Sequence, residues 1–261
     1  MIPLTKYIEY KKGTLPILLI SAHGGYMIPD EIPDRKNGNL CPDLKTIEFS
    51  LDLYNQANEI WGGVPHLLIC NLSRSKIDLN RSKYIGTECK ETQEIWDKWF
   101  NYIEEIIGNI KRDYGYGIIF DIHGHGDLAN KIWLGYGLNK IKLDTNQFNE
   151  NSIQNLIKLG NHNSKDILIE KRSLGYIINK LYNKDMCLPN FENKIGSQRY
   201  LSGGLIIKKY GCNGLFDAIQ IEIPNSLRTD PKKRIEFIKI FLESILLFLS
   251  QNLHINIFHP T

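Results

Sequence analysis

The apolar run Gly115-Tyr116-Gly117-Ile118-Ile119-Phe120 leads directly into Asp121-Ile122-His123-Gly124-His125-Gly126-Asp127. A short apolar stretch stopped by glycine and aspartate reads as a buried strand that ends there. Asp121, His123, His125 and Asp127 then sit at or just beyond the strand's C-terminal end. In open α/β sheets that edge is where ligands bind. Asp-x-His also suits metal chemistry, with one residue coordinating and the other orienting it. A lone histidine would read as a strand cap. Four ionisable groups in seven residues, with glycines between them, point to a site.

The rest of the chain alternates in the same manner. Residues 15–20 (Leu-Pro-Ile-Leu-Leu-Ile) predict a buried strand that runs into Ser21-Ala22-His23-Gly24-Gly25. A second His-Gly pair thus follows a second strand. Residues 30–42 are rich in proline and polar residues and read as a loop. Residues 43–60 have near-helical apolar spacing, with Asp43 as N-cap or as a carboxylate turned into the site. Residues 64–71 read as a strand, and residues 88–112 as a helix with a buried stripe of Ile95, Trp99, Tyr102, Ile103, Ile106 and Ile110. Further strands are expected at 132–136, 205–207 and 217–224. Residues 138–151 and 188–200 are expected as loops, and residues 152–159 and 165–182 as helices. Thr229-Asp230-Pro231 signals the start of a last helix ending near Leu253.

Strands alternating with helices give an α/β protein. Its 261 residues, without repeats or an evident linker, suit a single domain over 1–261. A net charge of +3 with scattered lysines gives no footprint for nucleic acid. Five cysteines without a C-x-x-C pair argue for reduced thiols in the cytoplasm and against a thiolate zinc site. No signal peptide is evident in residues 1–12. The apolar stretch at 237–249 is shorter than a membrane span and carries Lys239 and Glu243, so no membrane role is expected.

Two further stretches carry chemistry. Ser73-Arg74 with Asp78-Leu79-Asn80-Arg81 places two guanidinium groups in a loop near the site, where the planar fork of arginine matches a carboxylate. Gln220 and Glu222 alternate with apolar residues and share one strand face. Glu222 is either a solvent-facing edge residue or a carboxylate held in the interior by a partner. Gly203-Gly204 suggests close backbone approach.

His23-Gly24-Gly25 with Ile28-Pro29, Ser73-Arg74 with Asp78-Leu79-Asn80-Arg81, Asp121-Ile122-His123, Gly203-Gly204 and Gln220-Ile221-Glu222 occur in that order. Together they resemble the N-formylglutamate amidohydrolase family, over roughly residues 16 to 224. That family is similar in fold to the zinc carboxypeptidases. The resemblance implies a mixed, mostly parallel sheet with helices on both faces, of the phosphorylase/hydrolase-like type. It implies one divalent metal, Zn2+, held by His23, His123 and a third ligand. The carboxypeptidase His-x-x-Glu is broken, because Tyr26 stands where the Glu would be. Asp43 takes that place, with Glu48 in reserve. By the same resemblance Glu222 is the general base, and Arg74 stabilises the oxyanion or binds substrate. Asn80 and Arg81 grip a substrate carboxylate, Gly203 and Gly204 line the substrate, and Asp121 stands behind a ligand histidine. His125 is an extra feature, a fourth ligand or a substrate contact. The implied activity is hydrolysis of a small acyl-amino-acid-like amide. A carboxypeptidase, a cell-wall-fragment amidase and a binding protein without turnover are the alternatives.

Overall fold

The computed structural model describes residues 6–190 and 195–253. The apolar runs become strands β1 (Ile8–Lys11), β2 (Ile17–Ser21), β3 (His66–Cys70), β4 (Ile118–His125), β5 (Ile132–Gly135), β6 (Cys187–Leu188) and β7 (Asp217–Pro224). They form one sheet in the order β1-β3-β2-β4-β7-β5-β6. The pairs β2/β3, β2/β4, β4/β7 and β5/β6 are parallel. The pairs β1/β3 and β5/β7 are antiparallel. The sheet is therefore mixed and mostly parallel.

The helices are α1 (Thr46–Trp61), α2 (Lys83–Gly86), α3 (Lys90–Tyr114), α4 (Lys140–Asp144), α5 (Gln154–Leu159), α6 (Ser164–Leu168), α7 (Leu174–Leu181), α8 (Asn225–Arg228) and α9 (Pro231–Asn252). Successive strand residues feed opposite faces. Ile17 and Leu19 join Phe49, Leu53, Phe237 and Phe241 in a core under α1 and α9. Leu18 and Ile20 join Ile95, Trp99 and Ile103 in a second core under α3. Each fully buried side chain of this kind contributes about 1.5–3 kcal/mol. The indole Nε1 of Trp61 donates to Leu242 O at 2.9 Å, tying α1 to α9. Asp230 caps α9 by accepting from the Lys232 and Lys233 amides, with Pro231 in the first turn, as the sequence signals.

Several elements differ from expectation. Residues 205–207 are not a strand; they enter a π-helical turn, Ile207–Gly211. Gly203 has φ 121, a conformation open to glycine, and the backbone bends there instead of extending. The helix expected over 165–182 is split into α6 and α7, because Ser173 caps a new helix by accepting from Tyr176 N. The loop expected at 138–151 contains α4, capped by Asn139. Strands β1 and β6 lie at the two edges of the sheet, and such short segments carry too little period to read. Within the loop expected at 188–200, residues 191–194 lie outside the described residues, as do residues 1–5 of the stretch considered for a signal peptide. Among the described residues no helix is long and apolar enough to cross a membrane.

Strand β4 continues through His125, so His123 and His125 lie in the strand and not beyond it. Parallel pairing sets His123 beside Glu222 and Asp121 beside Gln220. Glu222 is thus on an interior strand between β4 and β5, not on a solvent edge. From β2 the chain crosses through α1 to β3, and it returns to β4 through α3 on the opposite face. This reversal opens a crevice at the C-terminal ends of β2 and β4, the place where such sheets bind ligands.

Candidate metal centre

His23 leaves β2 by two residues and is fully buried. Its carbonyl accepts from Asp43 N at 2.9 Å, which draws the start of α1 over the crevice. Asp43 does not cap α1 with its side chain. Its Oδ2 lies 3.0 Å from His123 Nδ1 and 3.5 Å from His23 Nδ1. The two rings meet edge to face, with centroids 4.8 Å apart. Gly24 and Gly124 make this approach possible. A Cβ on Gly24 would lie 2.8 Å from Ile47 N, and one on Gly124 would overlap the Arg228 guanidinium.

Each imidazole is held from behind by a carboxylate. His23 Nε2 bonds Asp78 Oδ1 at 2.8 Å. His123 Nε2 lies 3.1 Å from Asp121 Oδ2. The Nδ1 atoms of both imidazoles face Asp43 Oδ2. His23 Nδ1 is buried and has no hydrogen-bond partner. Arg74 pairs with Asp43 Oδ1 at 3.2 Å and with Asp78 Oδ2 at 3.3 Å.

The electrostatics show a surplus of negative charge. Burial opposes ionisation of Asp43, yet the adjoining His123 and His23 imidazoles hold its carboxyl well below the usual range. Asp78 is likewise lowered against its burial, by His23 and then Arg74. Burial would lower His123, but Asp121, Asp43 and Glu222 raise it well above an ordinary imidazole. Glu222, enclosed without an ion pair, is pushed by burial up to about 7, with His123 pulling the other way.

His23, Asp43 and His123 each offer one ligand atom, and these atoms lie within 4.8 Å of one another. Tetrahedral coordination at about 2.1 Å puts ligand atoms about 3.4 Å apart. The two distances from Asp43, 3.0 and 3.5 Å, bracket that value. The cluster fits a metal ion by donor type, spacing, charge and the unpartnered Nδ1 atom. Glu48, the reserve ligand, is turned away and pairs with Lys45 at 2.7 Å. Tyr26 is half exposed and accepts from Lys45 N at 3.0 Å, outside the cluster.

Asp43 and His123 of the cluster line a cavity of about 740 Å³, also lined by Arg81, Arg199, Tyr200, Gly203, Gly204 and Glu222. Arg81 is exposed on this wall and makes no ion pair among the described residues. Asn80, Gly203, Gly204 and His125 also line the cavity. The Asn80 Oδ1 accepts from Leu205 N, and its NH2 faces Gln220 Oε1 and His123 Nε2, each at 3.5 Å. The Gly204 amide donates to Gln220 at 2.9 Å. His125 lies outside the His23, Asp43 and His123 cluster. Its ring stacks on Trp133 with centroids 3.9 Å apart, Nε2 bonds Lys131 O at 2.8 Å and Nδ1 accepts from Asp127 N at 3.1 Å.

Gln220, which the sequence sets on the face of Glu222, bonds Glu222. Sequence reasoning missed two residues that shape this site. Arg228 donates to the carbonyls of Ile223, Leu44 and His125, clamping three segments together. Arg35 donates to the carbonyls of Arg74, Asn37 and Asn39, fastening the loop above the cavity. An arginine in a polar stretch gives no local signal of this kind.

The fold can be matched to solved structures. The N-formylglutamate amidohydrolase of Ralstonia eutropha JMP134 superposes with a TM-score of 0.57 at 12% identity, over 94% of this chain and 98% of that one. The fold is the same. The gene product Atu2144 of Agrobacterium tumefaciens gives a TM-score of 0.56 at 11% identity, over 94% and 95% of the two chains. No family model and no curated protein sequence matches the chain. At this identity the likeness is one of fold.

Proposed function

We propose that the protein is a zinc-dependent hydrolase of an amide bond in a small, carboxylate-bearing substrate, with N-formyl and other N-acyl amino acids as the substrate class. The observation that carries this is the convergence of His23, Asp43 and His123, with Asp43 and His123 lining an open cavity beside the buried carboxylate of Glu222. Two imidazoles and a carboxylate suit zinc, and no thiol lies among them. Held by these three groups, a zinc ion would polarise the scissile carbonyl and acidify water at the site.

The protein's own groups supply the rest. Glu222 takes the proton from the attacking water and returns it to the leaving nitrogen. Its carboxyl, raised to about 7 by burial, is a stronger base than an exposed glutamate. Arg74 lines the cavity while bound to Asp43 and Asp78, and it faces charge that develops on the carbonyl oxygen. Arg81, exposed on the wall, takes the substrate carboxylate with its planar fork. The five free thiols fit a cytoplasmic setting.

Metal analysis of the purified protein, followed by a screen over N-acyl amino acids starting with N-formyl-L-glutamate, tests this reading. One zinc per chain and release of a free amino acid are expected. Glu222→Gln should lower turnover by about a hundredfold to ten-thousandfold while metal content stays at wild type. Bound metal without hydrolysis of any member of the panel would show a binding protein instead. Loss of metal in Glu222→Gln would make Glu222 a ligand.

A further inference from the structure

Gln220 precedes Glu222 by two residues on β7, so both side chains leave the same face of the sheet. They are 3% and 4% exposed. The orientation of the Gln220 amide follows from what surrounds it. The backbone N–H of Gly204 can only donate, and it lies 2.9 Å from Gln220 Oε1. The oxygen therefore faces Gly204, and the NH2 is left to donate to Glu222 Oε1 at 2.9 Å. Asn80 obeys the same logic. Leu205 N–H donates to its Oδ1, so its NH2 turns towards Gln220 Oε1. Gly204 itself packs so closely on Asn80 that a Cβ there would overlap the amide. Residues 204–205, Asn80, Gln220 and Glu222 are thus linked by a chain of hydrogen bonds.

We infer that Gln220 is a positioning residue: it fixes the Glu222 carboxylate in one rotamer and locks it to the cavity wall formed by residues 203–205. This rests on the reading of Glu222 as general base. A buried glutamate without such a donor would be free to turn about its terminal bonds. With Oε1 held by Gln220, Oε2 is left to receive the proton. The same arrangement makes Asn80 a part of the support for the base, where its sequence context suggested a contact to the substrate.

The test is a double-mutant cycle on the zinc-loaded protein, with a crystal structure of the variant as an independent readout. Gln220→Met keeps the volume and removes the hydrogen bonds to Glu222, Gly204 and Asn80. Turnover should fall by about ten- to a hundredfold, the range for one hydrogen bond to a charged group, with KM and zinc content within twofold of wild type. In a Glu222→Gln background the same substitution should cost nothing further, because it acts through Glu222. The variant's structure should show the Glu222 carboxylate displaced from its wild-type position. An equal loss of turnover in both backgrounds, or an undisplaced carboxylate, would overturn the inference. Should Gln220→Met fail to fold, Gln220→Asn decides: one methylene shorter, it cannot span from the Gly204 amide to the Glu222 carboxylate. Wild-type turnover in Gln220→Asn refutes the positioning role. Wild-type turnover in Glu222→Gln alone refutes the base itself, whatever Gln220 does.

Discussion

Asp78 holds the back of the candidate metal centre, and its replacement by asparagine is the most informative single change. Its Oδ1 accepts from His23 Nε2 at 2.8 Å and from Asn80 N at 3.0 Å. Its Oδ2 accepts from Arg74 Nε and NH2, both at 3.3 Å. The carboxylate is 1% exposed, so water cannot replace either side. Asparagine offers one oxygen where two are needed. If that oxygen stays with His23, the new NH2 faces the Arg74 guanidinium, donor against donor. If it stays with Arg74, the NH2 faces His23 Nε2. The imidazole proton then moves to Nδ1 and blocks the atom that would bind the metal. Loss of such an outer carboxylate costs about ten- to a hundredfold in metal affinity, or roughly 1.4–2.7 kcal/mol. Competition titration of zinc against a chelator at pH 7 measures it, with circular dichroism of the metal-free variant confirming the fold. Wild-type zinc affinity in a folded Asp78→Asn variant would refute the assignment of Nδ1 as the ligand atom of His23.

Arg81→Lys should raise KM about tenfold or more for substrates with a free carboxylate and leave carboxamide analogues unaffected, because lysine keeps the charge but loses the two-pronged fork; steady-state kinetics on matched substrate pairs read this. Gly204→Ala should cost on the order of 1–3 kcal/mol, since a Cβ there overlaps the Asn80 side chain; unchanged urea unfolding would contradict the packing described. His66 supplies a pH signature away from the site. Its Nδ1 faces Tyr10 Oη at 2.7 Å and Gly13 N at 3.2 Å, and burial, helped by Lys12, lowers its pKa to about 4. A histidine with a lowered folded pKa stabilises the protein above its ordinary pKa of about 6.5. That contribution is lost as pH falls towards 4, with a slope approaching about 1.4 kcal/mol per pH unit midway. His66→Phe should flatten the stability profile between pH 6.5 and 4, and an unaltered profile would count against the neutral buried imidazole.

The sheet centre and the candidate ligands were readable from the chain because their signals are local. The apolar runs of β2, β4 and β7 lead within a few residues into His23-Gly24, His123-Gly124 and Pro224. A strand's period of two places Gln220 beside Glu222 without further knowledge. Helix α9 announces itself through Asp230 and Pro231, whose effects lie within one turn. Signals of this kind survive in a single sequence because the residues that cause the structure are neighbours in it.

Tertiary structure decided what distant residues do to one another. Asp43 is 80 positions from His123, and only the crossover through α1 and the parallel pairing of β2 with β4 bring them to 3.0 Å. Asn80 and Gln220 are 140 positions apart, and only the fold brings their amides to 3.5 Å. His125 shares the sequence setting of His123, yet its stacking on Trp133 takes it out of the metal centre. The same holds for residues 205–207, whose apolar composition suits a strand but whose place beside the Gly203 bend leaves no strand edge to join. Composition and spacing determined which groups the protein owns and where each strand ends. The fold determined which of those groups face each other, because hydrogen bonds and charge act over a few ångströms of space and take no account of distance along the chain.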